Sequence, residues 1–151
     1  MLREIQTVNG KNADATYVAD VALVRGMGVQ KNNGEAVLPA ATTCENIFLA
    51  TKESIPTGLL SVQGEISDYN TAYENIAIGE GVVLIAPVAG EKYATDQTTG
   101  ELAAGDYLGV ATSGKFIKVT IGVSKFVCRG TYTDGTRTLT KIEVIDAHTV
   151  A

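Results

Sequence analysis

The stretch GKFIKVTIGVSKFVCRGTYTDGTRTLTKIEVI, residues 114–145, decides the fold class of this chain. Apolar or β-branched residues alternate with polar ones along most of it, which is the period of a half-buried strand. Asp134-Gly135 interrupts the alternation, and this dipeptide is typical of a tight hairpin turn. The stretch therefore predicts a long β-hairpin near the C-terminal end.

Two registers of this hairpin are compatible with its turn. A two-residue loop would place Phe126 opposite Glu143, whereas a three-residue loop with a bulge at Gly135 places Phe126 opposite Ile142 and Lys125 opposite Glu143. Matched apolar or oppositely charged cross-strand pairs contribute about 0.2–1 kcal/mol each. The pairing therefore favours the three-residue loop.

The rest of the chain also indicates strands. Glycine is abundant, with 16 residues against 3 prolines, and short apolar runs lie between turn signals. Asn33-Gly34 predicts a second hairpin because both positions tolerate positive φ. Residues 40–46 and 67–76 suggest one short helical segment each, since Thr, Ser or Asp stands at a capping position. We therefore expect a mainly β fold, a small barrel or sandwich with one or two short helices.

The first residues differ from the remainder in composition. Residues 1–14 are polar and rich in asparagine, and their apolar side chains are Leu2, Ile5 and Val8. This pattern predicts an extended N-terminal arm that orders only on a partner. The predicted organisation is an arm at 1–16 followed by a single β-rich domain at 17–151.

Charge is unevenly distributed along the chain. The net charge is −5, which argues against a nucleic-acid partner, and no apolar run is long enough to cross a bilayer. The N-terminal residues lack the apolar centre of a signal peptide, so we expect synthesis in a cytoplasm.

Residues 35–106 carry eleven acidic and two basic residues, and residues 107–151 carry three acidic and six basic ones. This asymmetry indicates either two solvated faces or complementary contacts between copies, with these candidate contact residues: Lys115, Lys118, Arg129 and Arg137.

One segment approaches a known chemical motif. Gly109 to Lys115 has the spacing of a phosphate-binding loop, but Phe116 replaces the hydroxyl residue that would bind Mg²⁺. A phosphate-binding loop opens a helix, whereas the residues that follow here alternate as a strand. The pattern predicts a hairpin turn at residues 112–115 rather than a nucleotide site.

Catalytic and metal-binding patterns are equally weak. The single histidine, His148, lies near the C-terminus, where a fraying tail would not hold a catalytic triad. Cys44 and Cys128 are far apart in sequence and belong to no metal-ligand motif, so we expect packed thiols, with a disulfide as the alternative. The chain is therefore expected to be neither an enzyme nor a metal or cofactor protein.

Residues 78–121 carry a resemblance to a known family. Gly79-Glu80-Gly81-Val82 opens the segment, Leu108-Gly109-Val110-Ala111 forms its centre, and Phe116-Ile117-Lys118-Val119 closes it. This succession of a strand, an acidic turn, a glycine-centred strand and a basic β-branched strand resembles the small capsid decoration, or cement, proteins of tailed bacteriophages. The shared pattern covers about a third of the chain.

The resemblance implies a structural role. Decoration proteins bind the outer surface of a matured head as trimers or monomers and brace the junctions between capsomers. It therefore implies a homo-oligomer, with a trimer favoured, on the virion surface, the major capsid protein of the same virion as partner, and shell contacts through the arm residues Leu2, Ile5 and Val8. Two alternatives are another virion part, such as a head-fibre base or tail-tube-like subunit, and a non-enzymatic ligand-binding β module.

Overall fold

The computed structural model describes residues 1–8, 13–52 and 74–151, and this part of the chain contains strands and no helix. Thirteen strands follow one another along it: β1 Leu2–Gln6, β2 Ala13–Ala19, β3 Leu23–Val24, β4 Gly28–Asn32, β5 Glu35–Val37, β6 Phe48–Thr51, β7 Asn75–Ile76, β8 Gly81–Ile85, β9 Lys92–Thr95, β10 Tyr107–Val110, β11 Phe116–Lys118, β12 Gly122–Asp134 and β13 Arg137–Val150. The predicted mainly β class is confirmed.

The strands form a closed barrel and an open sheet. The barrel is ordered β2-β5-β4-β6-β8, the six-stranded sheet is ordered β1-β9-β13-β12-β10-β11, and β3 pairs separately with β7. Closure leaves the barrel without a free edge, whereas the open sheet ends at β1 and β11. The chain contributes its first strand to the sheet, builds the barrel, and then returns to the sheet.

Three clusters of buried apolar residues are present, and the two larger ones follow from this arrangement. Alternate residues of the barrel strands point inward, and Val29, Ala36 and Leu84 fill the interior without measurable exposure. Leu49 and Ile85 lie on the opposite side of the barrel wall and pack with Phe126, Ile142 and other buried residues of the sheet. The second core therefore joins the barrel to the sheet.

Close backbone approach holds the barrel against the hairpin of β10 and β11. The Gly28 amide donates a hydrogen bond to the Gly114 carbonyl at 2.8 Å. A Cβ atom on Gly28 would lie 2.5 Å from Val110 Cγ2, closer than van der Waals contact allows. Glycine is therefore required where these strands meet.

The two predicted helical segments are not helices where they are described. Thr43 instead forms a β-bridge with Val110, with hydrogen bonds in both directions at 2.7 and 3.0 Å. Asn75 and Ile76 form β7, while residues 67–73 lie outside the described part of the chain. Pairing with neighbouring strands satisfies these backbone groups better than one isolated helical turn would.

The Asn33-Gly34 hairpin is confirmed, with φ values of 46° and 85° at the two turn residues.

The predicted register of the long hairpin is wrong. Asp134 pairs with Arg137, and Phe126 lies opposite Val144 rather than Ile142. The difference begins at the turn, where Gly135-Thr136 is the loop and Tyr132 pairs with Leu139 rather than Thr136. A bulge between Cys128 and Thr131, where Gly130 has a φ of 85°, adds a residue to β12 and partly reduces this difference.

The N-terminal residues are not a free arm in this structure. Leu2–Gln6 forms β1, which pairs antiparallel with β9. Leu2 is only 2% exposed and belongs to the core between barrel and sheet. The burial of Leu2 and the ladder with β9 explain why this polar segment is ordered.

Candidate functional site

The segment that resembles a phosphate-binding loop is a tight turn. Residues 111–115 connect β10 to β11, and the Gly114 amide donates to the Ala111 carbonyl at 2.9 Å. Gly114 has a φ of 75°, and a Cβ atom there would lie 2.8 Å from Leu38 Cδ2. The predicted hairpin turn is confirmed, and its glycines serve conformation and packing against the barrel.

Three of the four basic residues predicted to contact other subunits pair within the chain. Lys118 Nζ lies 2.7 Å from Asp106, Arg129 Nε 2.6 Å from Glu143, and Arg137 Nη1 3.4 Å from Asp96. Among the described residues, none forms an ion pair with Lys115. These bases are spread over different strands and turns, so the structure does not unite them in one site.

The three predicted shell-contact residues have different environments. Leu2 is buried, whereas Ile5 and Val8 are 37% and 47% exposed. The Val8 amide donates to Glu91 Oε1 at 3.3 Å, which ties the residues after β1 to the start of β9. Ile5 and Val8 are therefore the residues of this group that an outside partner can reach.

A cation–π cluster that the sequence patterns did not predict lies at one end of the barrel. Asp14 lies opposite Leu84 and Phe48 opposite Val29, so both side chains face the barrel interior. Lys31 Nζ lies 4.6 Å from the Tyr17 ring centroid, 4.5 Å from the Phe48 ring centroid and 2.8 Å from Asp14 Oδ2. The lysine thus closes the barrel between two aromatic faces and a carboxylate. Strand alternation predicts that Lys31 lies on the same face of β4 as Val29. The partners of Lys31 come from other strands, so only the closed barrel identifies them.

This cluster gives a pH-dependent contribution to stability. Hydrogen bonds from Lys31 and then from Thr16 lower the pKa of Asp14 from 3.8 to about 2. A carboxyl group whose pKa is lower in the folded state stabilises the fold above its unfolded pKa and loses that contribution as the pH falls through the folded value.

We therefore expect the free energy of unfolding to fall more steeply between pH 4 and 2 in the natural chain than in Asp14→Asn. Denaturant unfolding across this range checks the difference. Glu80 and Asp106 also have lowered pKa values through Lys52 and Lys118, so their contributions remain in both proteins and cancel in the comparison. Parallel curves for the two proteins would contradict the assignment.

A second buried polar group lies at the start of β9. Glu91 is 1% exposed, accepts a hydrogen bond from the Tyr93 hydroxyl at 2.5 Å, and accepts another from the Val88 amide at 2.9 Å. Burial and the neighbouring Glu91 carboxylate raise the pKa of Tyr93. The bonds of Glu91 hold the turn before β9, so the carboxylate has a structural role.

The remaining reactive side chains are also held by the fold. Cys44 and Cys128 are free, buried thiols, and burial raises the pKa of Cys44, which makes it a poor nucleophile. His148 is not in a fraying tail, because it pairs with Ser124 in the ladder of β12 and β13 and stacks on Tyr107 at 4.4 Å. The expected packed thiols are therefore confirmed, and the expected frayed tail is wrong.

One open depression of about 470 Å³ lies beside the β3–β7 pair. Leu23, Ile76 and neighbouring residues line it, and the Lys52–Glu80 ion pair at 2.7 Å stands at its edge. In the described ranges, no three His, Cys, Asp or Glu side chains are grouped so that they could hold a metal ion. The depression thus offers a shallow surface with one neutralised charge pair.

The described part of the chain contains no helix of the length and apolarity needed to span a membrane. Comparison with protein-family models, with curated proteins and with solved structures finds no match to this chain. The fold and the positions of the predicted residues are therefore the basis for a functional proposal.

Proposed function

We propose that this chain is a structural protein of a bacteriophage particle, which binds the outer surface of the mature capsid and stabilises the junctions between capsomers. Its partner is the major capsid protein of the same virion. This structural role needs no cofactor and no catalytic residue.

The observation that carries the proposal is where the decoration-protein pattern falls in the fold. Residues 78–121 contain β8 of the barrel together with β9, β10 and β11 of the sheet. Val82 fills the barrel, while Leu108, Val110 and Phe116 fill the core between barrel and sheet. The buried apolar residues of the pattern thus lie on the framework that joins the two parts, whereas its acidic turn lies between strands.

The edge of the open sheet offers a route to the shell. β1 is the terminal strand of the sheet, so β9 covers only one of its sides. Ile5 and Val8 are exposed there. A strand from the capsid protein could add to this edge, with backbone hydrogen bonds providing affinity and the two apolar residues providing specificity.

The test is binding to isolated phage heads that lack this protein. We expect the chain to bind expanded heads, to leave unexpanded heads unoccupied, and to raise the temperature at which expanded heads rupture. Equal binding to both kinds of head, or no binding to expanded heads of its own phage, would contradict the proposal.

A double substitution tests the contact residues separately from folding. Ile5→Ser with Val8→Ser is expected to weaken binding to expanded heads while leaving the chain folded, because both side chains are exposed. Ile78→Ser is the matched control, since Ile78 is 70% exposed and lies outside β1. Deletion of the whole N-terminal segment is less informative, because it also removes Leu2 from the core.

A further inference from the structure

One side of the open sheet carries a group of basic residues, which we call the basic face: Arg3, Lys92, Arg129 and Lys141. Tyr93 and Ile142 point toward the barrel, so their neighbours along β9 and β13 point away from it. Lys92 lies opposite Glu143, and Lys141 lies opposite Ala94. The two lysines therefore occupy diagonal positions on the side of the sheet that faces away from the barrel.

The two arginines extend this face across four strands. Arg3 of β1 lies opposite Ala94, and Arg129 of β12 reaches Glu143 at 2.6 Å. Asp134 forms an ion pair with Arg3. By contrast, no carboxylate of the described residues lies within ion-pair distance of Lys92 or Lys141. A chain with a net charge of −5 thus presents a sheet face on which positive charge exceeds negative charge.

The barrel presents the opposite charge on its outer wall. Ala19 and Ala36 pair across β2 and β5 and fill the interior, so Val18 and Glu35 point outward. Asp20 follows β2 directly and is exposed, and Val18 beside it is 40% exposed. Within the described residues, neither Asp20 nor Glu35 forms an ion pair. We call this patch, Val18, Asp20 and Glu35, the acidic face.

We propose that the basic face of one copy binds the acidic face of a second copy, head to tail. The two faces lie on different parts of the fold, so the contact is heterologous and either closes into a ring or continues along a chain of copies. Complementary charge would set the orientation, and Val18 would supply an apolar contact between the charges. This inference does not rest on the capsid role, because self-association can be measured without a shell.

A charge-exchange experiment tests the proposal. The first variant carries Lys92→Glu and Lys141→Glu, and the second carries Asp20→Lys and Glu35→Lys. Each variant alone sets like charges against each other, so we expect the dissociation constant for self-association to rise at least about tenfold. Mixed in equal amounts, the two variants again offer opposite charges, and association should return. Sedimentation velocity measures the loss of association in each variant and its return in the mixture. Repeated at high salt, it should also show a weaker contact in the natural chain, because exposed charges are screened.

Two matched variants control for net charge. Lys115→Glu with Lys118→Glu, and Glu101→Lys with Asp146→Lys, change the charge equally at other places on the described surface. We expect both to associate as the natural chain does, and thermal unfolding confirms that every variant is folded. A natural chain that stays monomeric at low salt, a basic-face variant that associates normally, or a mixture that fails to associate would each overturn the proposal.

Discussion

Replacing Phe116 with alanine is expected to lower the free energy of unfolding by about 3–5 kcal/mol, the usual loss when a buried phenylalanine is removed. Phe116 is 1% exposed and contacts Phe126 edge to face, with ring centroids 5.3 Å apart. Its removal would open a cavity in the core between barrel and sheet, where neighbouring strands prevent full collapse. Urea unfolding measures the change.

Lys115, the residue before Phe116, provides the control for this substitution. Lys115→Ala should change the free energy of unfolding by no more than about 0.5 kcal/mol, because the side chain lies at a surface turn. Phe116→Ser is a sharper test, since it completes the sequence of a phosphate-binding loop. We expect this variant to lose stability and to show no heat when titrated with ATP. Saturable ATP binding by the Phe116→Ser variant, abolished when Lys115→Ala is added to it, would contradict the assignment of this segment as a turn.

Replacing Leu2 with alanine is expected to destabilise the fold by about 2–5 kcal/mol, although Leu2 stands second in a polar segment. Its side chain is 2% exposed and packs in the core with Tyr93 and Ile142. Loss of this anchor would also weaken the pairing of β1 with β9. Thermal or denaturant unfolding gives the size of the effect.

Ile5→Ala is the matched change in the same strand. Because Ile5 is 37% exposed, we expect a loss within about 0.5 kcal/mol. Amide exchange adds an independent measurement, since a β1 that pairs with β9 should protect its bonded amides in the isolated chain. An arm without order in the free protein would instead give small effects at both positions and rapid exchange throughout the segment.

The sequence by itself determined the class of the fold and most of its turns. Alternation along residues 114–145 predicts long paired strands, and the Asn33-Gly34 dipeptide predicts the hairpin that the structure contains. Such signals are local, because strand alternation and positive φ depend on a few neighbouring residues. The same locality explains why residues 112–115 could be recognised as a turn from the strand pattern that follows them.

The tertiary structure decided the register of the long hairpin. The observed register around Phe126 differs by two residues from the predicted one, and a shift of two keeps each side chain on the same face of the sheet. Alternation therefore cannot distinguish the two pairings. The loop does distinguish them: it is Gly135-Thr136, and the bulge at Gly130 then changes the pairing along β12 by one residue.

The tertiary structure also decided which charges and apolar residues are available to partners. The polar composition of residues 1–14 does not indicate that Leu2 enters the core, because the residues that it joins there, such as Tyr93 and Ile142, come from strands that are distant in the sequence. Closure of the barrel brings Lys31 together with Tyr17, Phe48 and Asp14. Likewise, Lys118 and Arg129 form ion pairs within the chain only because folding places Asp106 and Glu143 beside them. Charge counted along the chain describes its composition, whereas the pairing of charges depends on distances that folding alone establishes.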